Sequence, residues 1–75
     1  MIRFKLKQLM EDHQFRTGNR LTLGDVAEGS GIHRTTLSKI SNTRGYNTTS
    51  DNLNALCKFF KCRIEDIAEY VDVEE

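Results

Sequence analysis

Seventy-five residues with 37% hydrophobic content make one small domain with a thin core. No apolar run approaches the roughly 18 residues of a membrane span, and two cysteines are too few for a disulfide scaffold. The formal net charge is zero but unevenly spread: eight basic residues stand against four acidic ones up to residue 49, and three against seven from residue 50 onward. Such a chain can turn a basic face to a phosphate backbone while its total reads neutral, although an ordinary mixed surface has the same totals.

MIRFKLKQLMEDH opens the chain and fits two patterns. Ile2, Phe4 and Leu6 alternate with Arg3, Lys5 and Lys7 as in a strand, whereas Ile2, Leu6, Leu9, Met10 and His13 fall at helical spacing. A few extended residues followed by a helix over 5–14 reconcile the two. Met1 leads straight into this pattern, so no targeting segment is expected, and a cytoplasmic location follows from that and from the missing disulfide framework. QFRTGNR, residues 14–20, reads as a loop turned at Gly18-Asn19, flanked by Arg16 and Arg20 and anchored to the core by Phe15.

Thr22 and Asp25 then stand at capping-box spacing, with Asp in place of the usual Glu, and mark a helix start. Val26 and Ala27 face inward, and Gly29 and Gly31 keep this helix short. In GIHRTTLSKI, residues 31–40, the spacing predicts a second helix over 33–41. Leu37 and Ile40 share one side of it, with Thr36 at the edge. Arg34, Thr35, Ser38, Lys39 and Asn42 occupy an arc of about 140° on the other side. That outer face carries no carboxylate. Its donors suit an electronegative groove, where Arg and Lys reach guanine O6 and N7 and Thr touches a thymine methyl or a phosphate. Ala27 is small enough for close helix crossing and Gly31 permits a tight turn, so residues 22–42 read as a helix-turn-helix. A generic helical hairpin is the competing reading.

SNTRGYNTTS, residues 41–50, has no aliphatic side chain and reads as a loop ended by Thr49 or Ser50 as a helix cap. Leu53, Leu56, Cys57 and Phe60 form one apolar helix face, and Ile64, Ile67, Ala68 and Val71 repeat that spacing in a fifth helix. Tyr70 to Val73 also alternate, so the expected architecture is all-α, a compact five-helix bundle with a short two-stranded pairing of the termini.

TLGDVAEGSGIHRTTLSKISN resembles the lambda-repressor-like family, the Cro/cI or XRE-type helix-turn-helix regulators. The likeness extends through FKLKQLM, YNTTSDNLNALCKFFKC and RIEDIAEYV, in the manner of the small single-domain members. The resemblance implies a repressor that binds palindromic double-stranded DNA operators as a homodimer. It places base-reading positions at His33, Arg34, Thr35, Ser38 and Lys39, and backbone-positioning ones at Thr22, Thr36, Asn42 and the following loop. Arg44 and Tyr46 in that loop suit phosphates, one by charge and one by its hydroxyl. Three positions depart from the family pattern. Leu23 stands where a polar residue is common, and His33 and Arg63 stand where helix caps are expected. The segment 14–20 is also longer than in the shortest members, its two arginines being either an extension of the footprint or a solvated loop.

Catalytic and metal chemistry find no motif here. Cys57 and Cys62 have a poor ligand spacing and no nearby histidine, Cys57 falling on an apolar face; His13 and His33 are isolated. Glu65, Asp66 and Glu69 belong to a solvated helix face. No enzyme, cofactor, metal, small-molecule ligand or membrane partner is expected. Phe4, Ile67, Tyr70, Val71 and Val73 either form a dimer seam or cover the base of the bundle. A different class of function, a protein-interaction module of antitoxin type, would use the acidic C-terminal half. RNA binding is disfavoured by the lack of an aromatic stacking platform.

Overall fold

The computed structural model describes residues 1–72. In chain order the elements are β1 (Ile2–Phe4), α1 (Leu6–Thr17), α2 (Leu23–Ser30), α3 (Arg34–Asn42), α4 (Ser50–Phe60), α5 (Ile64–Ile67) and β2 (Ala68–Tyr70). Five helices and a short terminal strand pair agree with the expected architecture. Leu6, Val26, Ile32, Leu37, Ile40, Leu56 and Ile67 form the buried core, so every helix, and the turn before α3, contributes to it. Each such aliphatic side chain stabilises the fold by about 1.5–3 kcal/mol relative to exposure.

The first helix runs to Thr17, three residues past the expected end, and Phe15 is not an anchor: it is 89% exposed. Local hydrogen bonding explains the extension. The Thr17 hydroxyl donates to the His13 carbonyl at 2.9 Å. Gly18, at φ 72°, turns its amide onto the Gln14 carbonyl at 2.8 Å and closes the last turn. The segment leading into α2 is held by a polar tie instead, as the Leu21 amide donates to Gln14 Oε1 at 3.1 Å. Leu21, half-buried against the core, supplies the apolar contact expected of Phe15.

The fifth helix is shorter than its spacing suggested. Ala68 takes an extended backbone, and Ala68, Glu69 and Tyr70 pair antiparallel with Phe4, Arg3 and Ile2. The Lys5 amide donates to the Ile67 carbonyl at 2.6 Å, and the Val71 amide to the Met1 carbonyl at 2.8 Å. A remote strand thus supplies the backbone partners that a longer helix would have found within itself. The pairing of the termini was expected; its register, set two residues earlier than the alternation at 70–73, comes from this competition. Val73 lies outside the described residues.

Candidate nucleic-acid interface

The turn between α2 and α3 is built by two local devices and one tertiary contact. At the start of α2 the Thr22 hydroxyl accepts from the Asp25 amide at 3.1 Å, while Asp25 Oδ2 accepts from the Thr22 amide at 3.0 Å. This is the expected capping box. The Thr22 amide is the main cause holding the Asp25 carboxyl below its ordinary value of 3.8, followed by the Thr22 hydroxyl, with the nearby Arg20 adding to them against slight desolvation. At its end Gly31 adopts φ 79°, and its amide closes the helix on the Ala27 carbonyl at 2.9 Å. Between them, Gly29 lets the Phe59 ring of α4 approach the α2 backbone: a β-carbon placed there would lie 2.8 Å from Phe59 Cδ1.

These devices hold α3 with Leu37 fully buried and Ile40 2% exposed. Thr36 is half-buried at the edge, as helical periodicity required. Arg34, Thr35, Lys39 and Asn42 are exposed and Ser38 is half-buried, so the five polar positions share the outer side. His33 precedes the helix, exposed, and its side chain makes no capping bond. The helix begins at Arg34 and ends at Asn42, one residue later at each end than predicted, and it takes Ser41 and Asn42 out of the loop. Among the described residues the ion pairs are Arg3–Glu69 at 3.4 Å and Arg63–Glu65 at 3.9 Å. Arg34, Lys39 and Arg44 belong to neither of these pairs.

Flanking contacts are distributed around this face. Thr22 is exposed at the start of α2, where the first-turn amides lack intrahelical acceptors. Leu23 is half-buried against the core, which explains an apolar residue at a position where a polar one is common. After α3 the chain turns at Gly45, φ 68°, exposing Arg44 while Tyr46 packs its ring on the core. The far side of this loop is braced by Asn52 Nδ2 donating to Thr48 Oγ1 at 3.1 Å. Thr49, not Ser50, caps α4 through the Asn52 amide at 3.2 Å. Arg63 precedes α5 without a side-chain acceptor, and there the box is half-made, with the Arg63 amide donating to Asp66 Oδ2 at 3.1 Å.

One internal contact of this face escaped the sequence reading: Asn42 Nδ2 donates to the Ser38 carbonyl at 3.0 Å and to Ser38 Oγ at 3.3 Å. Their separation of four residues was the available signal. The apolar seam needs one correction. Ile67 is fully buried in the core and cannot face a partner, whereas Ile2 lies opposite Tyr70 in the sheet, the two 47% and 71% exposed.

Comparison with protein families matches residues 5–72 to the Cro/C1-type HTH DNA-binding domain. The chain belongs to that family, and with it to the DNA-binding transcriptional regulators. Neither the comparison with curated proteins nor that with solved structures returns a match. Among the described residues no helix is long and apolar enough to cross a membrane.

Proposed function

We propose that the chain is a single-domain repressor that binds a two-fold symmetric operator as a homodimer, with α3 in the major groove. The observation that carries this reading is the carboxylate-free outer face of α3, lifted off the core by buried Leu37 and Ile40. His33, Arg34, Thr35, Ser38 and Lys39 read base edges. Thr22, Thr36, Asn42, Arg44 and Tyr46 fix the register on the sugar-phosphate backbone. Two copies double the limited base contact of one small module over half-sites about 34 Å apart. The exposed Ile2–Tyr70 pair supports the existence of a self-association surface. The protein acts in the cytoplasm on nucleoid DNA, as a binding protein and not as an enzyme.

The test is selection of bound duplexes from a random pool at near-physiological salt, where nonspecific attraction is suppressed. A two-fold symmetric motif is expected, and Arg34→Ala should relax one position per half-site at a cost of about 1–3 kcal/mol. Equal loss on every sequence would place Arg34 on a phosphate. Failure of the folded protein to enrich any sequence would refute the reading. It would favour a protein-binding module using the acidic second half, where Glu65, Asp66 and Asp72 are exposed.

A further inference from the structure

We propose that the outer edge of β2 is the seam of the homodimer: a second copy of this chain pairs its own β2 antiparallel there, about a two-fold axis at Tyr70, to give a four-stranded sheet. This rests on the homodimer of the proposed function and deepens it by naming the strand, the register and the bonds.

The antiparallel ladder fixes where each backbone group points. The Val71 amide donates to the Met1 carbonyl at 2.8 Å and the Met1 amino group to the Val71 carbonyl at 3.1 Å, so the two form a hydrogen-bonded pair. Such pairs recur at every second residue, at Arg3–Glu69 and at Lys5–Ile67, where the Lys5 amide meets the Ile67 carbonyl at 2.6 Å. Tyr70 lies between them, opposite Ile2, so its amide and carbonyl point away from β1. The same alternation turns the backbone groups of Ala68 and Asp72 outward. The Ala68 amide is already spent on the Ile64 carbonyl. The Tyr70 amide and carbonyl, the Ala68 carbonyl and the Asp72 amide make no hydrogen bond among the described residues.

Pairing about Tyr70 uses all four. The two Tyr70 residues exchange amide-to-carbonyl bonds across the axis, and each Asp72 amide meets the Ala68 carbonyl of the other copy. The bond this register forgoes is the one from the Ala68 amide. Tyr70 stands beside its copy on the face that carries Ile2, Glu69 stands opposite Val71, and no like charges are opposed. The β1 edge is unsuited by the same test. Either two-fold register that uses the Phe4 backbone sets Arg3 against Arg3 or against Lys5 of the second copy. The loop after α3 also lies along β1: a β-carbon on Gly45 would be 3.1 Å from Met1 Cε, and Thr43, Arg44 and Gly45 share a cleft with Ile2, Arg3 and Phe4. Of the large apolar side chains exposed among the described residues, Met1, Ile2, Ile64 and Tyr70 lie on or beside the sheet and Phe15 lies elsewhere.

The experiment is sedimentation equilibrium of the full chain and of Tyr70→Pro, with circular dichroism as the check on folding. Proline deletes the outward amide and spares the ladder with β1, as an edge strand allows. Wild type should dimerise reversibly, and Tyr70→Pro should stay folded with a dissociation constant raised by roughly tenfold or more, for two lost hydrogen bonds. If proline prevents folding, Tyr70→Lys serves in its place, because that side chain is exposed; two opposed charges and the lost tyrosine pair should weaken the dimer about tenfold. In wild type mixed from labelled and unlabelled chains, an isotope-filtered NOE between the α-protons of Glu69 and Val71 should report the register. A monomeric wild type, a dimer unweakened in the folded variants, or a dimer without that NOE would overturn the inference. The duplex selection decides the DNA-binding reading separately: a dimer with the NOE that enriches no sequence would remove that reading and leave the seam standing.

Discussion

Replacing Gly31 by alanine separates a conformational cost from a steric one. Gly31 sits at φ 79° and ψ 8°, and a β-carbon built on it meets nothing within 4 Å. The loss in Gly31→Ala is thus confined to the backbone. A left-handed L-residue costs about 1–2 kcal/mol, offset by the ~0.4–1 kcal/mol that alanine gains by restricting the unfolded chain. The net loss is about 1 kcal/mol, or a fall in melting temperature of about 4–8 °C for a domain of this size. Against a total stability of roughly 4–11 kcal/mol for 75 residues the variant remains folded. Gly31→Asn should lose less, since asparagine tolerates this region better. Lys61 provides the reverse experiment: it ends α4 at φ 54° without being glycine, so Lys61→Gly should be neutral to stabilising by up to about 1 kcal/mol. Urea unfolding followed by circular dichroism, with unchanged denaturant slope, gives all three values. A loss above about 3 kcal/mol in Gly31→Ala would mean that the turn is sterically closed, and no loss would mean that Gly31 is not left-handed.

Three further outcomes follow from the same structure. Gly29→Ala should destabilise the native chain by about 1–2 kcal/mol, because the new methyl meets the Phe59 ring edge. The same substitution in a Phe59→Leu background should be neutral or favourable, through the ~1 kcal/mol helix preference of alanine, as a double-mutant cycle in urea would reveal. The Asp25 carboxyl is depressed in the folded state, so the stabilisation it brings is present above its ordinary value of 3.8 and lost as pH falls through the folded value. The difference in urea midpoint between wild type and Asp25→Asn should accordingly shrink on acidification, and a constant difference would contradict the capping-box account. Burial, followed by the neighbouring Cys57, pushes the Cys62 thiol up, so its alkylation by iodoacetamide, resolved by mass spectrometry, should reach half-maximal rate above pH 9.0; rapid labelling at neutral pH would refute this.

The turn region was legible because its signals are local. Thr22 with Asp25, Ala27, Gly31 and the pair Leu37–Ile40 each state their role within a few residues of chain, and the structure places them accordingly. Phe15 misled because apolarity says nothing about where a helix stops. Thr17 and Gly18 decided that, carrying Phe15 onto the exposed side of an extra turn. The Gly29–Phe59 approach joins residues thirty positions apart in sequence, and no local pattern carries it. Asn42 and Ser38 were each recognised as polar members of one face; that they bond to each other depends on rotamers that spacing alone does not select.

By itself the sequence determined the helix-turn-helix pattern and the inward and outward sides of α3, since capping, turn chemistry and periodicity act over one or two helical turns; the family came from the resemblance of the motif, and the match over residues 5–72 bears it out. Tertiary structure decided where the chain abandons helix after Ile67. Ile64, Ile67, Ala68 and Val71 fit a helix as well as any segment here, but the backbone of Ile2–Phe4 reaches Ala68–Tyr70 first. A hydrogen-bonding partner more than sixty residues away outweighs a weak local preference, because unpaired backbone groups cost more than the difference between two extended or helical states.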